Sequence, residues 1–335
     1  MSNPAEGYES HMVPTLFTPW AHLLDSANPK AGERALDQDG SQFAGLPEHR
    51  SVNSPSPGSA MRVIIALAIF ALVAVSAHAE SQRLVKKWET AAQLKVPESV
   101  LFDAGRKVLY VSNIDGEPWG NDGKGSIARV GLDGKIIAVN WVGGLSAPKG
   151  MAMRGSRLYV GDLTNVVVID IDKGAIAERI AVPGSEGLND VAIDPDGTVY
   201  VSDSRKKRVF AIKDGKPAVH LENLKGPNGL LFHDGALYLL DGEGLYRVGQ
   251  DRSLKLLSDG MKGGVDGVEN VTGNDFLVSC WHGTIYYVKG DGTREALLDT
   301  HEQKINSADI GYDRKQRIVY VPTFFKNSVV AYDLK

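Results

Sequence analysis

The chain has 335 residues, of which 23% are charged and 7% are aromatic, and these values are ordinary for a globular protein. A net charge of −4 and an isoelectric point near 6.1 argue against a nucleic-acid partner, which usually requires a basic surface. The single cysteine, Cys280, excludes an intramolecular disulfide.

Residues 1–60 show no sustained apolar period and are rich in Ser, Pro, Gly, Ala and charge, which is typical of disorder. From Met61 the chain reads Met-Arg, then the apolar run VIIALAIFALVAVSA, then an A-x-A pattern that ends at Ala79. This predicts a secretory signal peptide over residues 61–79 and a periplasmic or secreted protein without a stable membrane span after cleavage. Met61 is then the expected start, with residues 1–60 as upstream sequence. The alternative is an uncleaved membrane anchor.

A strand pattern recurs six times from Val96 onward. Its second strand reads VLYVSN (108–113), RLYVGD (157–162), TVYVSD (198–203), ALYLLD (236–241), DFLVSC (275–280) and IVYVPT (318–323). An aromatic residue holds the same place in every copy: Tyr110, Tyr159, Tyr200, Tyr238, Phe276 and Tyr320. Neighbouring copies lie about 40–50 residues apart, the length of a four-stranded blade. The sequence therefore predicts an all-β, six-bladed β-propeller.

Blade six runs out of chain after its third strand, at residues 329–332. The segment RLVKKWET (83–90) has no blade of its own, so we expect it to pair into the last blade as its outer strand. This pairing closes the ring and removes an open sheet edge. The predicted propeller is one domain over residues 80–335.

The innermost strand of each blade begins beside the central axis, at an opening that we call the mouth. Aligning the repeats places one residue of each blade there: Glu98, Lys149, Asn189, Asn228, Asp266 and Ser307. The two carboxylates and two amides of this set are hard oxygen donors with a net charge of −2, which suits Ca²⁺ first and Mg²⁺ or Mn²⁺ next. We therefore predict that Glu98, Asn189, Asn228 and Asp266 bind a divalent cation.

Several motifs resemble the senescence-marker-protein/gluconolactonase/luciferin-regenerating-enzyme family, calcium-dependent six-bladed propellers related to paraoxonase and diisopropyl-fluorophosphatase. They are PESVLFD (97–103), LNDVAIDPDG (188–197), PNGLLF (227–232), VDGVEN (265–270) and VSCWHGTIYYV (278–288). The resemblance covers about residues 95–335. It implies Glu98, Asn228 and Asp266 as metal ligands, Asn189 beside them, and Asp266 as general base.

The chain departs from this family at three places. Gly187 stands where sugar lactonases carry a substrate-gripping arginine, Asp266 is followed by GVEN, and Lys149 occupies the mouth position of blade two. These departures leave the lactone itself open.

A metal-bound carbonyl at the mouth would suit hydrolysis of a small-molecule lactone or ester. Lys149 is predicted to assist proton transfer or to bind a substrate carboxylate; alternatively it turns to solvent or pairs with Glu98. Candidate substrate contacts are Asn189, Trp119, His282 and His301. Trp119 lies in the long connection 112–126, which is either a lid over the mouth or a solvated loop.

Two functions remain open at this stage. One is an exported, metal-dependent lactone or ester hydrolase. The other is a non-enzymatic propeller that binds a protein or a small ligand and holds a structural metal, because one fold serves many functions.

Overall fold

The computed structural model describes residues 81–335. The predicted disordered segment (1–60) and signal peptide (61–79) lie outside the described residues. Within residues 81–335, no helix is long and apolar enough to cross a membrane.

The first strand of the described residues is β1 (Leu84–Glu89), and sheets of four antiparallel strands follow. Blade one contains β2–β5: Pro97–Asp103, Val108–Asn113, Gly125–Gly131 and Ile136–Leu145. Blade two contains β6–β9: Pro148–Arg154, Arg157–Asp162, Asn165–Asp170 and Ala175–Ala181. Blade three contains β10–β13: Leu188–Ile193, Val199–Asp203, Arg208–Lys213 and Lys216–Leu221.

The second half of the ring repeats this arrangement. Blade four contains β14–β17: Pro227–His233, Ala236–Asp241, Gly244–Val248 and Leu254–Ser258. Blade five contains β18–β21: Val265–Thr272, Asp275–Cys280, Thr284–Val288 and Arg294–Asp299. Blade six contains β22–β24: Gly311–Asp313, Ile318–Pro322 and Val329–Leu334. A short 3-10 turn, Phe324–Lys326, precedes β24.

The ring is closed as the sequence predicted. Blade six has the strand order β1-β24-β23-β22, and β1 runs antiparallel to β24 from Leu84 opposite Leu334 to Glu89 opposite Val330. Trp88 packs on Tyr320 with ring centroids 5.9 Å apart, and its Nε1 donates to the carbonyl of Leu132 in blade one at 3.0 Å. The first strand therefore joins the last blade to the first.

The core lies between neighbouring blades, and the repeated aromatic residue fills it. Tyr238 of blade four and Phe276 of blade five are both buried and pack with ring centroids 4.8 Å apart. Tyr110 packs on Trp141 at 5.2 Å. Such contacts bury large apolar surface, and this explains why the aromatic residue recurs with the blade period.

The innermost strand of blade six is shorter than its counterparts, because the residues before it pair with the innermost strand of blade one. Asp309 donates its backbone N–H to the carbonyl of Glu98 and accepts from the N–H of Val100, at 2.9 and 3.1 Å. These bonds form a parallel bridge to blade one, so β22 begins only at Gly311.

Candidate functional site

Each of the first five blades has a register shift at its mouth residue. The shifts lie between Pro97 and Ser99, Pro148 and Met151, Leu188 and Val191, Pro227 and Leu230, and Val265 and Val268. In three blades a serine hydroxyl accepts the N–H next to the mouth residue at 2.9 Å: Ser112, Ser202 and Ser279. Because a bulge re-aims a side chain, these shifts turn the mouth residues toward the axis.

In blades two, three and four, the last residue of the second strand is an aspartate whose carboxylate accepts backbone N–H groups just before the innermost strand. Asp162 accepts the N–H groups of Ser146 and Ala147, with the shortest distance 2.8 Å. Asp203 and Asp241 make the same paired contacts in blades three and four. Sequence reasoning missed this role, although the recurring Asp at the end of each of these strands is its signal.

The mouth brings four of the predicted residues into two buried pairs. Lys149 Nζ lies 3.7 Å from Glu98 Oε1, and Asn228 Nδ2 donates to Asp266 Oδ1 at 3.1 Å. All four residues are buried. Of the alternatives for Lys149, the structure places this side chain against Glu98.

Two oxygen atoms at the mouth fit a hard cation. Glu98 Oε2 and Asn228 Oδ1 are buried and have no hydrogen-bond partner among the described residues. Buried acceptors without a partner are costly, and a divalent cation would satisfy both of them. Within residues 81–335, no group of three or more His, Cys, Asp or Glu side chains is placed to hold a metal. The predicted donors at the mouth are two carboxylates and two amides, which are all oxygen ligands. The residues present therefore fit an oxygen-ligated cation rather than zinc.

Burial displaces the pKa values of the charged groups at the mouth. It raises the pKa of Glu98, and Lys149 opposes this rise. It also raises the pKa of Asp266 well above its usual range, with further increases from Glu98 and Asp309. Burial lowers the pKa of Lys149, and the negative charges of Glu98, Asp266 and Asp162 partly oppose this decrease. The mouth thus holds buried acids whose ionised forms require a nearby positive charge.

Asn189, the fourth predicted donor, and Ser307, the residue of blade six at the mouth, differ in their contacts. Asn189 Nδ2 donates to Ser204 Oγ at 3.1 Å. Ser204 Oγ donates in turn to the carbonyl of Pro227, which links blades three and four. Ser307 is used structurally, since its Oγ donates to the carbonyl of Cys280 at 2.8 Å.

The long loop of blade one covers part of the mouth. The ring of Trp119 lies over Lys149 Nζ, 4.5 Å from the ring centroid, and the guanidinium of Arg205 lies 5.8 Å from the same centroid. A Cβ on Gly187 would meet the Arg205 side chain and Cζ3 of Trp119, so a larger residue there would require the Arg205 side chain to move. Arg205, which sequence reasoning missed, thus brings a guanidinium beside Gly187.

His282 and His301 lie on the mouth face, on the loops of blade five and of the connection to blade six. Their rings lie tilted against each other with centroids 5.6 Å apart, and His282 also packs on Trp281 at 5.6 Å. These contacts place both imidazoles at the rim beside an aromatic cluster. Their predicted contact with substrate stays a prediction.

A cavity of about 190 Å³ lies along the axis below the mouth residues. Its polar lining consists of Asp190, Glu269 and Asp309, and its walls are otherwise largely apolar. Asp190 is bound on both oxygens, to the N–H groups of Val191 and Leu230. Asp309 Oδ2 accepts from Ser99 Oγ at 2.6 Å. These carboxyls were not identified from the sequence, although Asp190 directly follows Asn189.

Stability should fall with rising pH because of Glu269. Burial and the charge of Asp309 raise the pKa of Glu269 to about 8, above the ordinary 4.5 of an unfolded chain. A group whose pKa is raised on folding stabilises the fold below its unfolded pKa, and this contribution is lost as pH rises through the folded value. We expect Glu269→Gln to flatten the decline in unfolding free energy between pH 4.5 and 8, measured by urea denaturation, by an amount on the order of 4 kcal/mol. Glu222→Gln, at an exposed position, should leave the decline unchanged, and an unaltered slope in Glu269→Gln would contradict the assignment.

Gly229 lets the inner strands of blades four and five approach each other. A Cβ at this position would overlap the carbonyl oxygen of Asp266 and lie 2.8 Å from Leu240 Cδ1. We expect Gly229→Ala to lower the unfolding free energy by about 1–3 kcal/mol, as overpacking does, and to weaken cation binding by shifting Asp266. Gly105→Ala is the matched control, because its Cβ would meet its nearest neighbour at an ordinary 3.4 Å. Equal denaturation midpoints for both variants would refute the close approach.

Comparison with solved structures finds other propellers at low sequence identity. A gluconolactonase from Xanthomonas campestris is 18% identical over 76% of this chain and 91% of its own, with a TM-score of 0.57. The calcium-binding protein regucalcin from Agrobacterium tumefaciens is 14% identical over 74% and 94%, with a TM-score of 0.55. Virginiamycin B lyase from Staphylococcus aureus is 13% identical over 76% and 100%, with a TM-score of 0.57.

These similarities show the six-bladed propeller fold. A scan of protein-family models and a search of curated proteins give no match to the chain. Since the similar structures include both a gluconolactonase and a lyase, the fold leaves the reaction open.

Proposed function

We propose that the protein is an exported hydrolase of lactones or related esters, with a divalent cation held at the mouth of the propeller. Glu98, Asn228 and Asp266 would hold the cation, with Asn189 beside them. Ca²⁺ is the first choice, and Mg²⁺ and Mn²⁺ follow, because the donors are all oxygen. Export is part of the proposal and rests on the apolar segment in residues 61–79.

The observation that carries this proposal is the pair of unpartnered acceptors, Glu98 Oε2 and Asn228 Oδ1, beside the Asp266 carboxyl. A propeller that served only as a scaffold would have no need for buried acids and amides facing one axis. The gluconolactonase and regucalcin among the similar folds add support at the level of the fold.

The chemistry follows from the side chains at the mouth. When bound, a divalent cation polarises a lactone or ester carbonyl and stabilises the oxyanion that forms on it. Asp266 takes the proton from the attacking water. Trp119 limits the access of bulk water from above Lys149.

The substrate is proposed to be a small molecule, with no nucleic acid involved. Arg205 is partly exposed at the rim, 42% for its side chain, and lies 3.8 Å from Glu186 Oε1. Its guanidinium, together with Asn189, would orient polar groups of a substrate above the mouth.

A panel of γ- and δ-lactones, aryl esters and a phosphotriester tests this proposal. We expect turnover of at least one lactone or ester, loss of turnover with EDTA and recovery when Ca²⁺ is added back. A folded protein that turns over none of the panel, with and without cations, would favour the non-enzymatic binding propeller. If EDTA lowers the melting temperature of such an inactive protein, the metal is structural.

A further inference from the structure

Lys149 brings a positive charge into the same buried space as the proposed cation ligands. It follows Pro148 at the start of β6, within the register shift that turns mouth residues toward the axis. Its side chain is 1% exposed, and that of Glu98 is 4% exposed. An ammonium group at this depth needs a counter-charge, because isolated buried charges are strongly unfavourable.

Glu98 is the nearest counter-charge. The distance of 3.7 Å from Lys149 Nζ to Glu98 Oε1 is that of an ion pair, and Nζ has no hydrogen-bond acceptor among residues 81–335. The face of Trp119 covers the ammonium group on another side, 4.5 Å away. Lys149 is therefore held by charge attraction and by the aromatic ring rather than by directed hydrogen bonds.

The same carboxylate is required by the cation. With both acids ionised, Glu98, Asp266 and Lys149 carry a formal charge of −1, whereas the two acids alone would carry −2. Charges at this separation interact strongly in a buried site. A divalent cation that binds Glu98 is repelled by the neighbouring ammonium and has to displace it from its counter-charge.

We infer that Lys149 is a built-in counter-ion that sets the affinity of the mouth for its divalent cation. In the metal-free protein it compensates Glu98 and keeps the ring stable. When the cation binds, Glu98 exchanges Lys149 for the metal, and the ammonium group is left facing Trp119. The consequence is a cation that binds weakly and exchanges readily. This inference rests on the proposed cation site.

Calorimetric titration of Ca²⁺ into the metal-free, full-length protein tests the inference. Lys149→Met keeps the apolar stem and removes the charge, and we expect it to bind Ca²⁺ at least tenfold more tightly than the wild type. Lys149→Arg keeps the charge and should bind no more tightly. Lys225→Met is the matched control, because Lys225 is exposed in blade four and should have no effect.

Melting temperatures provide a second measurement. Without metal, Lys149→Met should melt below the wild type, because Glu98 loses its counter-charge. Ca²⁺ should then raise the melting temperature of this variant more than that of the wild type. A packing role alone would lower the melting temperature equally with and without Ca²⁺. Lys149→Gln serves the same comparison if the methionine variant does not fold.

The outcomes separate this inference from the function that it rests on. If the wild type and Lys149→Met bind Ca²⁺ with equal affinity, or if the variant binds more weakly, the counter-ion role is overturned and the cation site stands. If neither protein binds Ca²⁺, Mg²⁺ or Mn²⁺, both the proposed cation site and the inference about Lys149 are contradicted. Tighter binding by both neutral variants, with Lys149→Arg unchanged, supports the inference.

Discussion

Replacing Asp266 by Asn is expected to lower kcat/KM for the best lactone or ester by about 10³-fold, because the side chain loses both its charge and its basicity. Asn has the shape of Asp and can remain beside Asn228, which contacts Asp266 Oδ1 at 3.1 Å. The measurement is steady-state hydrolysis by purified protein at saturating Ca²⁺. The same variant should bind Ca²⁺ more weakly, since one of two carboxylates at the site is gone.

The stability of the Asp266→Asn variant separates a functional role from a structural one. Burial and neighbouring acids raise the pKa of Asp266 far above its usual range, so its ionised form destabilises the metal-free fold. We therefore expect the metal-free variant to be at least as stable as the wild type. Asp299→Asn, at an exposed position on the mouth face, should keep its turnover within twofold. Turnover within tenfold of the wild type in Asp266→Asn would show that this residue is not the base.

Deleting residues 81–92 is expected to abolish cooperative unfolding. The deletion removes β1, leaves the hydrogen-bonding edge of β24 open and uncovers Tyr320, on which Trp88 packs. It also removes the hydrogen bond from Trp88 Nε1 to Leu132 that ties blade six to blade one. An open edge invites association between chains. Denaturant unfolding followed by tryptophan fluorescence and light scattering should show a broad transition and aggregation.

A point variant tests the same closure without shortening the chain. Trp88→Ala should lower the unfolding free energy by about 3 kcal/mol, because it removes a large aromatic group from the junction of two blades. Lys87→Ala is the matched control. Lys87 forms a surface ion pair with Asp333 at 3.0 Å, and such pairs contribute about 1 kcal/mol or less to the unfolding free energy. A truncated chain that unfolds as sharply as the wild type would contradict the closure.

Much of the strand register was predictable because alternate side chains of a strand pack against the two neighbouring blades. The second strands of blades one and four, Val108–Asn113 and Ala236–Asp241, coincide with the predicted segments. Blade six was less predictable. Its inner chain bonds to Glu98 and Val100 of blade one, and a pairing so distant in sequence leaves no local period.

The site was predictable in its positions and less so in its contacts. The repeat register identified Glu98, Asn228 and Asp266, because each is the second residue of the innermost strand in its own blade. The pairing of Lys149 with Glu98 is a contact between blades, and it remained one of several alternatives. The approach of Arg205 to Trp119 depends on two irregular loops, whose conformations follow from packing rather than from any repeated pattern.

Anomalous diffraction from crystals of the protein soaked in Mn²⁺, and separately in Ca²⁺, tests the central claim most directly. The proposed site predicts one strong peak on the propeller axis, about 2–2.6 Å from oxygen atoms of Glu98, Asn228 and Asp266. Lys149 Nζ should then lie farther from Glu98 Oε1 than 3.7 Å. A mouth without a peak at saturating cation, with Lys149 still on Glu98, would contradict the account.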